Sequence, residues 1–232
     1  PVEELYDLEN DPHEIHNLAD DPAHADRKAE LQQALRDWQL RIRDLGLIPE
    51  SEIAVREQAA GSAFDILHGR EDGAAFIEDL ASVAAAASEG PGAFPALRKA
   101  LDHEDAAVRY WGATGFGNFA EALAEAEGAE AALRERLSDE SAAVRIAAGR
   151  ALLRAGDDEE ALRIVADELD ADIVWTRLKA AIVLDELEEG ARPVVDDLKT
   201  VLEAGGDRYQ GYVVRVVNKA LNDLLGTENQ VP

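Results

Sequence analysis

The chain has 232 residues, of which 23 are basic and 49 acidic, giving a net charge of −26. A surface this negative repels phosphate backbones and anionic lipid headgroups, which excludes a simple nucleic-acid binder and a protein docked on anionic membrane. Cysteine is absent, which removes disulfides, thiolate metal ligands and a thiol nucleophile, while 47% hydrophobic residues suffice to fill a core.

The chain opens Pro1-Val2 with neither a methionine nor a signal-peptide pattern, and is read as a fragment or a processed product. Leu5-Tyr6-Asp7-Leu8 alternates apolar and polar residues and predicts a short edge strand that must pair with something else. Asn10-Asp11-Pro12 signals a turn, and Asp21-Pro22 a helix start with Asp21 as N-cap. Leu31, Leu35, Trp38, Ile42 and Leu45 then recur at spacings of 4, 3, 4 and 3, which places one apolar stripe on a helix closed by Gly46 and Pro49.

The run Glu4-Leu5-Tyr6-Asp7-Leu8, followed by Asp11-Pro12-His13-Glu14 and Asn17-Leu18-Ala19, resembles the C-terminal end of sulfatases, the formylglycine-dependent hydrolases of the alkaline-phosphatase-like superfamily. With Trp38, it looks most like the heparan N-sulfatase (sulfamidase) branch. The resemblance covers residues 3 to 49. It implies a strand joining a small C-terminal sheet and a closing helix beside an upstream catalytic domain that carries calcium and formylglycine. The nucleophile motif of that family, Cys/Ser-x-Pro-x-x-Arg, is absent: no serine has proline two residues later. The resemblance therefore implies an enzymatic parent, and the residues present imply a non-catalytic piece.

Phe64, Ile66 and Leu67 predict a short helix ending near Gly69, and Phe76, Ile77, Leu80, Val83 and Ala84 a second from Gly73 to Ser88. Gly90-Pro91-Gly92 breaks the chain. From Phe94 onward the sequence repeats itself. Leu97 to Arg109 matches Leu133 to Arg145, with the arginines 36 residues apart, and looser copies follow at Thr176-Arg177 and Val214-Arg215. Each copy reads as a short helix, an acidic turn and a second helix opening on an apolar–Arg pair. Pro95 and Pro193 lie near first-helix starts, and Gly156, Gly190 and Gly226 lie just past second-helix ends. Period and layout resemble HEAT-like repeats. A single hairpin cannot bury its apolar stripe, so stacking is expected, with Val144, Ala147, Ala148, Ala151, Leu152 and Ala155 as the inner stripe of one second helix. The expected fold is all-α: an α-solenoid of about four HEAT-like hairpins over residues 93–228, transitional helices over 51–92, and a strand-turn-helix tail over 1–50.

The candidate interaction residues are Arg109, Trp111, Arg145, Trp175, Arg177 and Arg215. The arginines either line a face that binds sulfated or carboxylated groups bidentately, or form a structural ladder on turn carboxylates such as Asp102, Asp105 and Asp139. Tyr110, Trp111, Phe116, Phe119, Trp175, Tyr209 and Tyr212 are either core or a stacking surface. His13 and His16 have metal-pair spacing but no further ligand in view. Gly112, Gly115 and Gly117 lack the spacing and the strand of a dinucleotide fingerprint and are read as close-packing glycines. Gly205-Gly206-Asp207 is read as a plain loop, and Asp157-Asp158 and Glu188-Glu189 as solvated helix-end carboxylates.

Three functional readings result. The first is the non-catalytic C-terminal portion of a sulfatase, whose solenoid positions substrate, a protein partner or another copy against the upstream catalytic domain. The second is an independent HEAT-repeat scaffold for protein binding. The third, a free-standing enzyme, has no nucleophile–base or metal constellation to support it. No cofactor is expected within these residues, and no membrane span, since no window reaches the roughly 18 apolar residues required. Lysine occurs only at positions 28, 99, 179, 199 and 219. With the acid excess and many alanines, this suggests a high-salt setting in which counterions screen self-repulsion.

Overall fold

A computed structural model describes residues 3–156, 158–203 and 209–229, and every regular element among them is helical. The helices are α1 (Ala25–Ile42), α2 (Glu50–Ala60), α3 (Ala63–His68), α4 (Gly73–Ala86), α5 (Phe94–Ala100), α6 (Ala106–Asn118), α7 (Ala129–Arg136), α8 (Ala142–Ala155), α9 (Glu159–Asp167), α10 (Val174–Glu186), α11 (Val195–Glu203) and α12 (Gln210–Leu225). Short 3₁₀ turns, such as Pro91–Ala93 and Glu188–Val194, lead into α5 and α11.

The repeat unit is built locally. The acidic turn ends in a residue that caps the second helix: Asp105 accepts the Ala107 N–H, and Ser141 accepts the Val144 N–H. Prolines sit where their missing N–H costs nothing, as Pro95 does in the first turn of α5. The longer second helices then stack in sequence, α4 on α6, α6 on α8, α8 on α10 and α10 on α12, and the shorter helices α5, α7, α9 and α11 cover them.

Alanine and glycine set the spacing of this stack. Ala113, Ala148 and Ala151 are fully buried at helix crossings. A Cβ on Gly115 would lie 2.6 Å from Leu97 and 3.0 Å from the Ala87 Cα, and one on Gly149 would lie 2.6 Å from Val165. The apolar core runs through the layers, from Leu80 and Leu97 through Phe116, Leu133 and Val144 to Leu184, Leu198 and Val217. Of the stripe expected on α8, Val144, Ala147, Ala148, Ala151 and Leu152 are buried, but Ala155 is exposed because α8 ends there against Gly156.

Several expectations need correction. Leu5–Leu8 forms no strand; no strand occurs among the described residues. The Leu5 carbonyl accepts the Leu18 N–H, while the Leu5 N–H goes to the Asn17 side chain, so the segment folds on its own turn instead of on a ladder. The helix with the apolar stripe stops at Ile42, not at Gly46. Arg43 takes the left-handed conformation (φ 52°), and its guanidinium caps the carbonyls of Leu67, His68 and Arg70. Helix α2 was not anticipated; its signal is Pro49 followed by two acids in the first turn, Glu50 and Glu52. Phe64 is exposed, although Ile66 and Leu67 on the same helix are buried. Asp157 and the Gly205-Gly206-Asp207 loop lie outside the described residues.

Candidate functional site

The repeated arginines line up along the turn edge of the stack, and their donors are engaged one rung after another. Arg109, 6% exposed, makes a bidentate pair with Asp139 at 2.8 and 2.8 Å, and its remaining nitrogen donates to the carbonyls of His103 and Glu104. Arg145 pairs with Glu168 at 2.6 Å and donates to the carbonyls of Asp139 and Glu140. Arg177 donates to Gln210 at 3.0 Å and to the carbonyls of Ala171 and Asp172. Each arginine thus closes the turn five and six residues before it and reaches side-chain acceptors on the next repeat, Arg109 both Asp139 and, at 3.4 Å, Glu140. A planar, forked donor suits this double duty where a lysine would not. Arg215, at the corresponding place on α12, is exposed.

The ladder begins upstream of the repeats that the sequence pattern reveals. Arg56 on α2 pairs with Asp105 at 2.7 Å, and Arg70 reaches the same carboxylate at 3.4 Å. Burial pushes Asp105 up, but the hydrogen bond and charge of Arg56, the Ala107 N–H and the charge of Arg70 outweigh it and hold the carboxyl below the ordinary aspartate range. The Asp139 hydrogen bonds hold the Arg109 guanidinium above its ordinary value, against the effect of burial. Asp102 pairs with Arg98 on its own helix. Helix α2 lies across this edge: Glu52 accepts the Ser141 hydroxyl at the cap of α8, while Arg56 holds the cap of α6. One helix therefore straps two successive repeats.

A second row of ion pairs runs near the other ends of the second helices. Arg150 donates to Asn118 on α6 and makes a bidentate pair with Glu186 on α10, which also takes Arg154. The Arg150 hydrogen bonds, followed by the charges of both arginines, hold the Glu186 carboxyl below its ordinary range against a partial burial effect. Lys219 joins α12 to Asp185 on α10 at 2.9 Å.

The aromatic residues divide. Phe116 is buried against Phe94, at 5.0 Å between ring centres. Trp111 is half-buried, and its indole N–H donates to the Leu47 carbonyl at 2.8 Å, which pins the segment between α1 and α2 onto α6. Trp175 is half-buried with Tyr209 at 5.4 Å, and beside this pair Tyr212 and Ile182 are exposed. This gives an apolar, aromatic surface at the α10–α12 end of the second-helix face. The six candidate residues are not brought to one point: three arginines stand in the ladder, Trp111 lies toward the front of the stack, and Trp175 and Arg215 lie toward its end.

An exposed apolar face lies elsewhere, on α1. No residue of α1 is buried, and Leu31, Leu35, Trp38 and Ile42 are 43%, 55%, 46% and 38% exposed. The helix touches the stack through the inner side of its C-terminal half, near Leu40, so the predicted stripe faces outward. His16 accompanies Asp11 only, and no group of three or more metal-ligating side chains occurs among the described residues. No helix is long and apolar enough to cross a membrane.

The chain is 42% identical over 53 residues to an ulvan-active sulfatase from Formosa agariphila, covering 23% of this chain and 9% of that protein. It is 50% identical over 42 residues to the uncharacterized sulfatase YidJ of Escherichia coli, covering 18% of this chain and 8% of that protein. The chain thus spans less than a tenth of the length of these curated relatives. The crystal structure of an engineered protein aligns with 86% of this chain and 83% of its own, at a TM-score of 0.44 and 18% identity. Residues 94–185, which run from α5 to α10, match the family model of HEAT repeats, and the chain accordingly carries HEAT repeats in a helical scaffold.

Proposed function

We propose that this chain is the non-catalytic, C-terminal part of a sulfatase-type protein, in which the first fifty residues dock on a catalytic domain and the HEAT repeats form a rigid arm that contacts protein. The observation that carries this reading is the α1 stripe: four large apolar side chains at helical spacing, all solvent-exposed, on an 18-residue helix with no buried residue. A stripe of that kind marks an interface. The local identity to two sulfatases supports a sulfatase-type catalytic domain as the surface that covers it. By the same resemblance, calcium and formylglycine belong to that missing domain; the sequence has no such nucleophile motif, and no metal cluster occurs among the described residues.

The arm itself does no chemistry in this reading. Its ladder arginines hold the repeats in register, and the half-buried Trp175 with the exposed Ile182, Tyr209 and Tyr212 supplies the contact for a protein partner or a second copy. The acidic surface disfavours a direct clamp on a sulfated polysaccharide. The deciding experiment is to read the coding sequence upstream of Pro1. An in-frame Cys/Ser-x-Pro-x-x-Arg motif is expected; an initiation codon immediately before Pro1 would overturn the reading and leave an independent scaffold. Consistent with it, the chain alone should show no turnover of an aryl sulfate, with or without calcium.

A further inference from the structure

The second helices turn one face to solvent between the arginine ladder and the Arg150–Glu186 row. On α10, Trp175, Lys179 and Ile182 follow one another at spacings of 4 and 3, while Thr176, Ala180, Val183 and Leu184 turn into the core. On α12, Tyr212 and Val216 take the outward side, with Val213, Val217 and Leu221 buried beneath them. The Trp175 ring lies 5.4 Å from that of Tyr209, which brings the two helices' outward rows together at one end, and Lys219 on Asp185 joins them at the other. Ile182, Tyr209 and Tyr212, at 43%, 37% and 50% exposure, leave this aromatic strip open.

The charges on the strip point to what it fits. Carboxylates at its edge are already matched: Glu186 holds Arg150 and Arg154, and Asp185 and Asp223 share Lys219. Lys179, between the aromatic residues, is not matched. Its ammonium lies 6.0 Å from the centre of the Tyr110 ring on α6, and it forms no ion pair or hydrogen bond among the described residues. In a chain with 49 acidic side chains against 23 basic ones, this half-buried lysine has no carboxylate within ion-pair distance. An ammonium so placed is complementary to a carboxylate brought from outside.

We propose that this face docks a linear protein segment in which one carboxylate stands beside a large apolar side chain, the carboxylate on Lys179 and the apolar side chain among Trp175, Ile182 and Tyr212. One carboxylate, not an acidic run, is what a single lysine can match on a chain of net charge −26, because every further acid adds repulsion. The aromatic residues supply the desolvated contact, and the lysine between them selects the charge. The proposal rests on the reading of the Trp175 surface as a protein contact and narrows it to one partner chemistry; it does not need the sulfatase parent.

The test is selection of random displayed peptides on the full chain, counter-selected on Trp175→Ala, followed by fluorescence anisotropy of the enriched sequence as a synthetic peptide. The enriched sequences are expected to place Asp or Glu next to Phe, Leu, Ile or Trp. Lys179→Glu, with native circular dichroism, should weaken the peptide about tenfold, and exchanging the peptide's acid for lysine should restore binding to that variant. Lys199→Glu, on α11, should change nothing. Peptides that need Trp175 but bind Lys179→Glu unchanged would overturn the proposal and leave the surface a protein contact. No enrichment over Trp175→Ala would overturn the protein-contact reading as well. Self-association in sedimentation that is lost in Tyr212→Ala would give the face to a second copy and overturn the proposal too.

Discussion

At the scale of single residues, the ladder arginines decide how firmly one repeat holds the next. Arg109 and Asp139 are both buried, with side-chain exposures of 7% and 3%. Removing one partner strands the other as an uncompensated charge, so Arg109→Ala should cost about 3–5 kcal/mol by urea unfolding. Breaking the exposed pair Arg192–Glu189 in the same way should move the unfolding midpoint far less, because water screens both charges. Leu152, 4% exposed, should cost about 2–5 kcal/mol as alanine, because the alanines around it cannot collapse into the space. Asp105 gives a pH signature. Its folded pKa is depressed, so its stabilisation is present above the ordinary value of 3.8 and is lost as pH falls through the lower folded value. Asp105→Asn should flatten the acid limb of the stability–pH curve while leaving the cap of α6 in place. The period and the residue type of the ladder were legible in the sequence. The partners were not: Arg109 passes over Asp105, four residues away, to take Asp139, thirty residues on, because helix stacking sets which turn lies beside it.

At the scale of elements, α1 and α2 separate what patterning can and cannot foretell. The spacing of Leu31, Leu35, Trp38 and Ile42 defines an amphipathic helix, and α1 is one. Spacing cannot say what covers the stripe, and here the described residues leave it 38–55% exposed. Trp38→Ala should therefore change the stability of the isolated chain by less than about 0.5 kcal/mol, as expected for a surface substitution. In a preparation that contains the proposed catalytic domain, the same variant should weaken association of the two parts, measurable by sedimentation. Helix α2 is the opposite case. Its pattern is too polar to suggest a core helix, yet Ser51 and Glu52 are buried because α2 crosses the caps of two repeats. Its burial comes from polar bonds, which hydrophobic periodicity does not register.

At the scale of the whole molecule, the charge of −26 acquires a location. Part of it is matched rung by rung in the ladder and in the Arg150–Glu186 row; the rest lies on exposed turns and outer helix faces. The unmatched acids repel one another, and salt screens that repulsion over about 10 Å at 0.1 M. The buried pairs are screened much less. Thermal stability should therefore rise from low salt toward molar sodium chloride. A fall over that range in differential scanning calorimetry would show that the ion pairs outweigh the self-repulsion.

The sequence by itself determined the helical class, the repeat and its break points, and the missing nucleophile motif, because these depend on residue type and on spacing along one chain. Only the tertiary structure decided that the tail forms no strand, that the arginines bond forward to the next turn, that α2 straps the caps, and that the α1 stripe stays exposed. Those outcomes depend on which surfaces meet in space, and a local pattern records what a surface can bury without recording what arrives to bury it.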